Sequence, residues 1–208
     1  MKKENFKSSE FGRCFGALAF IVAMGSMSAS AATNIGEADL SIRSDQSGFS
    51  EITLTESAGG QITGRGQAEP NPDITMVNLN RQTGGLKGQI FGRFLNVVCS
   101  DTKCSDNGST ELIIDVNHAT GKTTLKGTLN YDFVRITIGA DKITVSTNNI
   151  DYELNRQSDI KFAGRGSSLR QNPLNPGFDV ELTTLGTFQN LAADPALAIA
   201  LLVSPFVH

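Results

Sequence analysis

Leu112-Ile113-Ile114-Asp115-Val116-Asn117-His118-Ala119-Thr120-Gly121-Lys122-Thr123-Thr124-Leu125-Lys126-Gly127-Thr128-Leu129-Asn130-Tyr131-Asp132-Phe133 decides the fold class. Leu112, Ile114 and Val116 fall on one parity. Ala119-Thr120-Gly121-Lys122 interrupts the pattern. Leu125, Gly127, Leu129, Tyr131 and Phe133 then alternate with polar residues. A period of two marks a half-buried strand, because successive side chains point to opposite faces. Two such runs around a Gly-containing break predict a β-hairpin. After Phe133 the parity changes to Val134, Ile136 and Ile138. A phase change of this kind predicts a bulge or bend.

The same unit extends in both directions. Upstream, Ala38, Leu40 and Ile42 alternate with polar residues, as do Ile52 and Leu54. Thr75 to Arg81 reads as a strand, Gln82-Thr83-Gly84-Gly85 as a turn, and Leu86 to Val98 as one long strand. The far half of that strand is apolar on both parities (Phe94, Leu95, Val97, Val98), which predicts cover on both faces. Downstream come Ile143 to Thr147, then Ile150, Tyr152 and Leu154, then Ile160, Phe162 and Gly164, and last Phe178, Val180 and Leu182. About ten or eleven short strands at this spacing, joined by tight turns, predict an all-β antiparallel meander. Closing a meander removes its exposed edges, so the expected form is an up-and-down barrel or strongly curled sheet. A two-sheet β-sandwich is the alternative.

Two internal echoes support a repeated hairpin unit. Leu79-Asn80-Arg81-Gln82-Thr83 returns as Leu154-Asn155-Arg156-Gln157-Ser158, and Gly64-Arg65-Gly66 as Gly164-Arg165-Gly166. Each Gly-Arg-Gly leads into an Asn-Pro loop. The irregular spacing argues against a solenoid.

One helix is expected, near residues 195–203. Asp194 suits the N-cap and Pro195 the first helical position. Ala196 to Val203 has no polar face, so the helix is expected as a plug or cover buried on the sheet. The competing expectation is self-association or an envelope contact through Ala196 to Val203.

The N-terminus reads as an address. Lys2, Lys3, Lys7 and Arg13 precede an apolar run from Cys14 to Met24, and Ser28-Ala29-Ser30-Ala31-Ala32 closes it. Basic, apolar and small in that order predict a signal peptide over residues 1–32, cleaved after Ala31 or Ala32. The run is short of the roughly 20 residues that span a bilayer. The expected product is a single β-rich domain over 33–208, exported to the periplasm or the extracellular space. Removing the leader takes four of the 18 basic and two of the 21 acidic residues, leaving 14 against 19 and a net charge of −5. A mildly acidic chain argues against nucleic acid or an anionic membrane as main partner. Cys99 and Cys104 are then the remaining cysteines, and an even pair in an oxidising compartment predicts a disulfide. Their spacing lacks the Cys-x-x-Cys of redox and zinc sites.

Candidate chemistry is sparse. His118 continues the parity of Ile114 at the mouth of a turn, where a general base or a solvated strand end both fit. Arg65 and Arg165, in matching contexts, form a candidate anion-binding pair, since guanidinium grips carboxylate or phosphate bidentately. Asp101, Asp106, Asn107 and Glu111 crowd one loop without a calcium-loop spacing, and Asn107-Gly108-Ser109 fits a glycosylation acceptor. No metal site, cofactor or paired glycosidase carboxylates can be nominated. The chain has no Trp and two Tyr, which weakens both sugar stacking and a lipid-spanning barrel with aromatic girdles.

Three functions follow, in order of expectation. The first is a non-enzymatic binding protein holding a hydrophobic small molecule or lipid in a barrel cavity. Its expected inward lining is Ile90, Phe94, Leu112, Ile114, Leu129, Tyr131 and Phe133, with His118 at the mouth. The second is a structural or protein-interaction component of the cell envelope or surface, with a solid core and no ligand. The third is a hydrolase built on His118.

Overall fold

The computed structural model describes residues 33–44, 48–68, 75–90, 93–106, 108–168 and 177–204. The leader segment and its cleavage site, Asn107 and the Asn-Pro loops lie outside the described residues.

Fourteen strands form one closed antiparallel barrel. They are β1 (Asn34–Ser44), β2 (Gly48–Ser57), β3 (Gln61–Ala68), β4 (Thr75–Gln82), β5 (Gly85–Ile90), β6 (Arg93–Cys99) and β7 (Lys103–Ser105). The second half comprises β8 (Glu111–Asn117), β9 (Lys122–Leu129), β10 (Asp132–Ile138), β11 (Lys142–Thr147), β12 (Ile150–Arg156), β13 (Lys161–Ser168) and β14 (Phe178–Gly186). Each strand pairs with its sequence neighbours, and β1 closes the ring on β14 from Gly36↔Gly186 to Ser44↔Phe178. The up-and-down barrel expected from the alternation is therefore the fold, and the sandwich alternative is set aside.

Three strands escaped the sequence pattern, each for a physical reason. β3 has Ile62 as its one large inward side chain, followed by Gly64 and Gly66, so it carries little apolar periodicity. The glycines are there because space is short: a Cβ on Gly64 would collide with the Leu54 side chain and the Thr53 carbonyl. β7 is three residues long. The expected long strand from Leu86 to Val98 is two strands, because Ile90 pairs with Arg93 and the chain reverses between them.

A second reversal replaces the expected bulge after Phe133. Leu129 pairs with Asp132. Between them Asn130 and Tyr131 take φ of 50° and 69°. Two central residues with positive φ define a type I′ hairpin turn, whose twist matches that of the strands. In the β9–β10 hairpin this two-residue reversal inverts the parity, which is the phase change after Phe133, and β5 and β6 likewise bury opposite parities, Leu86 and Ile90 on one and Leu95 and Val97 on the other.

The turns alternate between two rims. The upper rim carries the β2–β3, β4–β5, β6–β7, β8–β9, β10–β11 and β12–β13 turns and the end of β14; the other turns lie at the lower rim. After β14 the chain makes one 3₁₀ turn (Thr187–Asn190) and enters α1 (Pro195–Leu202). Asp194 caps α1, its carboxylate accepting the Leu197 N–H at 3.0 Å. Every residue from Ala196 to Val203 is buried, in one core cluster with the inward side chains of the wall. At the other end of α1, the Leu202 carbonyl accepts the hydroxyl of Tyr152, on the lower half of β12, at 2.5 Å. The helix thus runs down inside the barrel, which explains its lack of a polar face. Eight strands are about the limit at which wall side chains alone fill a barrel, so fourteen leave an axial space that a helix can occupy.

Candidate functional site

The upper rim holds the most organised polar group. Glu56 continues the inward parity of Ile52 and Leu54 and is 2% exposed. Arg81 donates from Nε to Glu56 Oε1 at 2.5 Å and from Nη2 to Oε2 at 2.9 Å. Its Nη1 bonds Asp194, and Thr187 donates its hydroxyl to Glu56 Oε2 at 2.7 Å. Burial pushes the Glu56 carboxyl up, but the Arg81 hydrogen bonds, the Thr187 hydroxyl and the Arg81 charge outweigh it, and the net shift is downward. Arg81 is held above its ordinary range by Glu56 and Asp194 against the opposing effect of burial. Every strong donor and acceptor here is engaged internally. The group clasps the 3₁₀ turn and the entrance of α1 to β2 and β4, and Gly36 lets it close, since a Cβ there would strike Thr187 and Phe188.

Beside the clasp lies a cleft of about 560 Å³, between the β6–β7 turn, β8 and the segment before α1. Ser100, Asp101, Thr102, Asp115 and His118 line it. His118 is exposed, and no hydrogen bond joins it to a serine or a carboxylate among the described residues. The Cys99–Cys104 bond fastens the base of the β6–β7 turn, as the spacing predicted.

The expected cavity lining divides in two. Ile90, Leu112, Ile114 and Leu129 face inward and are buried. Phe94, Tyr131 and Phe133 do not: they are 61%, 82% and 36% exposed. The hairpin reversals are the cause. Phe94 lies beyond the Ile90–Arg93 reversal, Tyr131 occupies a turn, and Phe133 follows that turn. The inward residues pack with α1 in the core cluster instead of facing an open lumen.

Arg65 and Arg165 are not brought together. Both point outward, on β3 and β13, four strands apart around the wall. Arg165 pairs with Asp179 at 3.1 Å. The repeated glycines face inward, where their small size is needed: a Cβ on Gly166 would meet the Phe178 ring and Tyr152. Asp106 is satisfied locally. Burial raises its carboxyl, but the backbone N–H groups of Thr110, Gly108 and Ser109 lower it further, with a net downward shift.

The outside of the barrel carries a feature that strand-by-strand reading missed. Among the described residues, the outward positions of β5 to β10 hold five cations (Lys87, Lys103, Lys122, Lys126, Arg135) and two anions (Glu111, Asp115). Around β12, β13, β14, β1 and β2 the outward positions hold seven anions (Asp151, Glu153, Asp179, Glu181, Glu37, Asp39, Glu51) and three cations (Arg43, Lys161, Arg165). On the acidic side opposite charges face each other, as in Glu153↔Arg165, Arg165↔Asp179 and Asp179↔Arg43. On the basic side Lys126 stands directly opposite Arg135. The barrel order was the missing signal, since these residues are scattered along the chain. An outer wall of charges is also the reverse of the apolar outward band of a lipid-spanning barrel.

Comparison with protein-family models, with curated proteins and with solved structures gives no match.

Proposed function

We propose that this chain is an exported, non-enzymatic structural or interaction component of the cell envelope or surface, with a solid core, acting through the outside of its barrel. One observation carries the reading: α1 occupies the barrel interior, with Ala196 to Val203 buried among the inward wall residues. A barrel that stores a hydrophobic ligand devotes that volume to the ligand. Here the volume is given to the chain's own helix, tied in by Asp194 at one end and Tyr152 at the other.

Native mass spectrometry of the protein recovered from its exporting host tests the reading. The expected mass is that of the polypeptide beginning near residue 32 or 33, with one disulfide and no small molecule. A stoichiometric apolar compound released on denaturation would overturn the solid-core reading in favour of a binding protein. Retention of the protein inside the cell with residues 1–32 attached would overturn export.

A further inference from the structure

We infer that the β6 to β10 sector of the barrel is a docking face for an anionic lipid bilayer surface; the inference rests on the reading above, that the protein acts through its outer wall. Register places Lys103, Ile113, Lys126 and Arg135 in one continuous cross-strand row. Like charges directly opposite each other on a sheet destabilise it. Lys126 and Arg135 bear that cost with no ion pair or hydrogen bond to either among the described residues. Between the cations stands Ile113, 62% exposed, and the same sector exposes Phe94 and Val98.

Cations and exposed apolar side chains together select the partner. The acidic wall of a second copy matches the charge, but its exposed apolar side chains, Ile35 and Leu185, sit at its upper rim, while its centre presents Asp39, Ser41, Thr53 and Thr183 and gives a row with Ile113 at its middle no apolar cover there. A bilayer interface supplies both: phosphate headgroups for the cations and the headgroup–acyl boundary for the apolar side chains. The long stems of Lys and Arg let their charges reach headgroups while the wall lies against the surface. Among the described residues the acids of this sector compensate one cation of the row, Lys103, and leave Lys126 and Arg135 unpaired. Glu111 is paired to Lys103 at 2.9 Å, Asp106 is turned into its own loop, and Asp132 accepts from Asn148. Asp101 and Asp115 sit toward the upper rim, beside the His118 cleft. With the opposite wall acidic, repulsion fixes which side docks. The whole-chain net charge argued against an anionic membrane because it sums two walls that the fold separates.

The test is a residue-level footprint on the full chain, so that the apolar N-terminal run cannot mimic the result. Lysine acetylation is measured by mass spectrometry with sealed phosphatidylcholine vesicles, with and without phosphatidylglycerol. Phosphatidylglycerol is expected to slow modification of Lys103 and Lys126 severalfold while leaving Lys161, on the acidic side, unchanged. The double reversal Lys126→Glu/Arg135→Glu is expected to weaken phosphatidylglycerol-dependent binding by roughly tenfold or more. Arg65→Glu, an exposed charge outside the sector, is expected to preserve it. Equal protection of Lys161 and Lys126, equal loss in Arg65→Glu, no dependence on phosphatidylglycerol, or the same protection by self-association without vesicles would each overturn the proposal. A flat footprint together with a ligand-free native mass sinks the docking face alone and leaves the solid-core reading standing.

Discussion

Arg81 grips Glu56 with two parallel hydrogen bonds, of 2.5 and 2.9 Å, across the upper rim of the barrel. The two residues come from β4 and β2, strands that are not neighbours, since β3 lies between them. The pair therefore bridges the rim rather than decorating one ladder. Because Arg81 also holds Asp194, the residue that caps α1, the rim and the inner helix share one guanidinium. Removing any member should be felt at the others, and the stability of this barrel should depend on the clasp more than on its surface ion pairs.

Arg81→Met should destabilise the protein by about 3–5 kcal/mol, because it leaves the Glu56 carboxylate buried and unpaired. Arg81→Lys should recover part of that loss, since one ammonium cannot reproduce the planar fork that meets both Glu56 oxygens. Lys142→Ala, which breaks an exposed pair with Glu153 at 2.6 Å, should cost about 0–1 kcal/mol. Urea denaturation of the three variants checks the ranking, and equal losses for Arg81→Met and Lys142→Ala would contradict it.

Stability should fall in acid, and Glu56 should account for part of the fall. Its carboxyl is lowered in the folded protein, on balance, by the Arg81 bonds, the Thr187 hydroxyl and the Arg81 charge. A carboxyl lowered on folding gives stability that is complete above the ordinary carboxylate range, about pH 4, and is lost as pH drops through the native value. Asp106, lowered by its backbone N–H partners, adds to the same window. Glu56→Gln should start less stable at pH 7 and show a shallower loss as pH falls below the ordinary carboxylate range, about pH 4.5. Melting temperature against pH for the two proteins tests this, and parallel curves would remove Glu56 from the account.

The alternation of Leu112, Ile114, Leu125 and Leu129 was enough to indicate antiparallel hairpins, because one buried face imposes a period of two. The same parity gave Ile90, Leu112, Ile114 and Leu129 their inward direction correctly. It failed at Phe94, Tyr131 and Phe133. A two-residue hairpin turn reverses the chain while shifting parity, and neither Asn130-Tyr131 nor the residues after Ile90 supply the Asn-Gly or Asp-Gly signal of such turns. The clasp was invisible for another reason: Glu56, Arg81, Thr187 and Asp194 lie far apart in the chain, and ring closure brings them together. Net charge hid the two-sided wall in the same way.

The corrected parity makes a direct prediction on adjacent residues of β6. Leu95 is buried inside the barrel, and Phe94 beside it points out. Leu95→Ala should cost about 2–5 kcal/mol through lost burial and the cavity left behind. Phe94→Ser, although it removes the larger side chain, should change stability by about 0.5 kcal/mol or less. Thermal unfolding of the two variants decides the matter: a Phe94→Ser as damaging as Leu95→Ala would place Phe94 in the core and restore the uninterrupted strand from Leu86 to Val98.

The helix inside the barrel should behave as core and not as an appendage. Leu197 and Leu201 are 0% and 1% exposed, and α1 packs against β5 and β6. Each Leu→Ala change there should cost about 2–5 kcal/mol, and Leu197→Asp should prevent folding, because it puts a carboxylate into a fully buried apolar position. Tyr152→Phe is the gentler probe. It keeps the ring and removes the hydroxyl that the Leu202 carbonyl accepts from at 2.5 Å, so about 1–2 kcal/mol should be lost. The decisive measurement is hydrogen exchange. If the helix is part of the cooperative core, the amides of Ala198 to Leu202 should exchange only through global unfolding, with the same opening free energy as those of β9 and β10. Tyr152→Phe should then lower the protection of helix and strands together. Were the helix instead a plug that leaves and returns on its own, its amides would exchange well before the strands, and Tyr152→Phe would loosen the helix while the wall kept its protection.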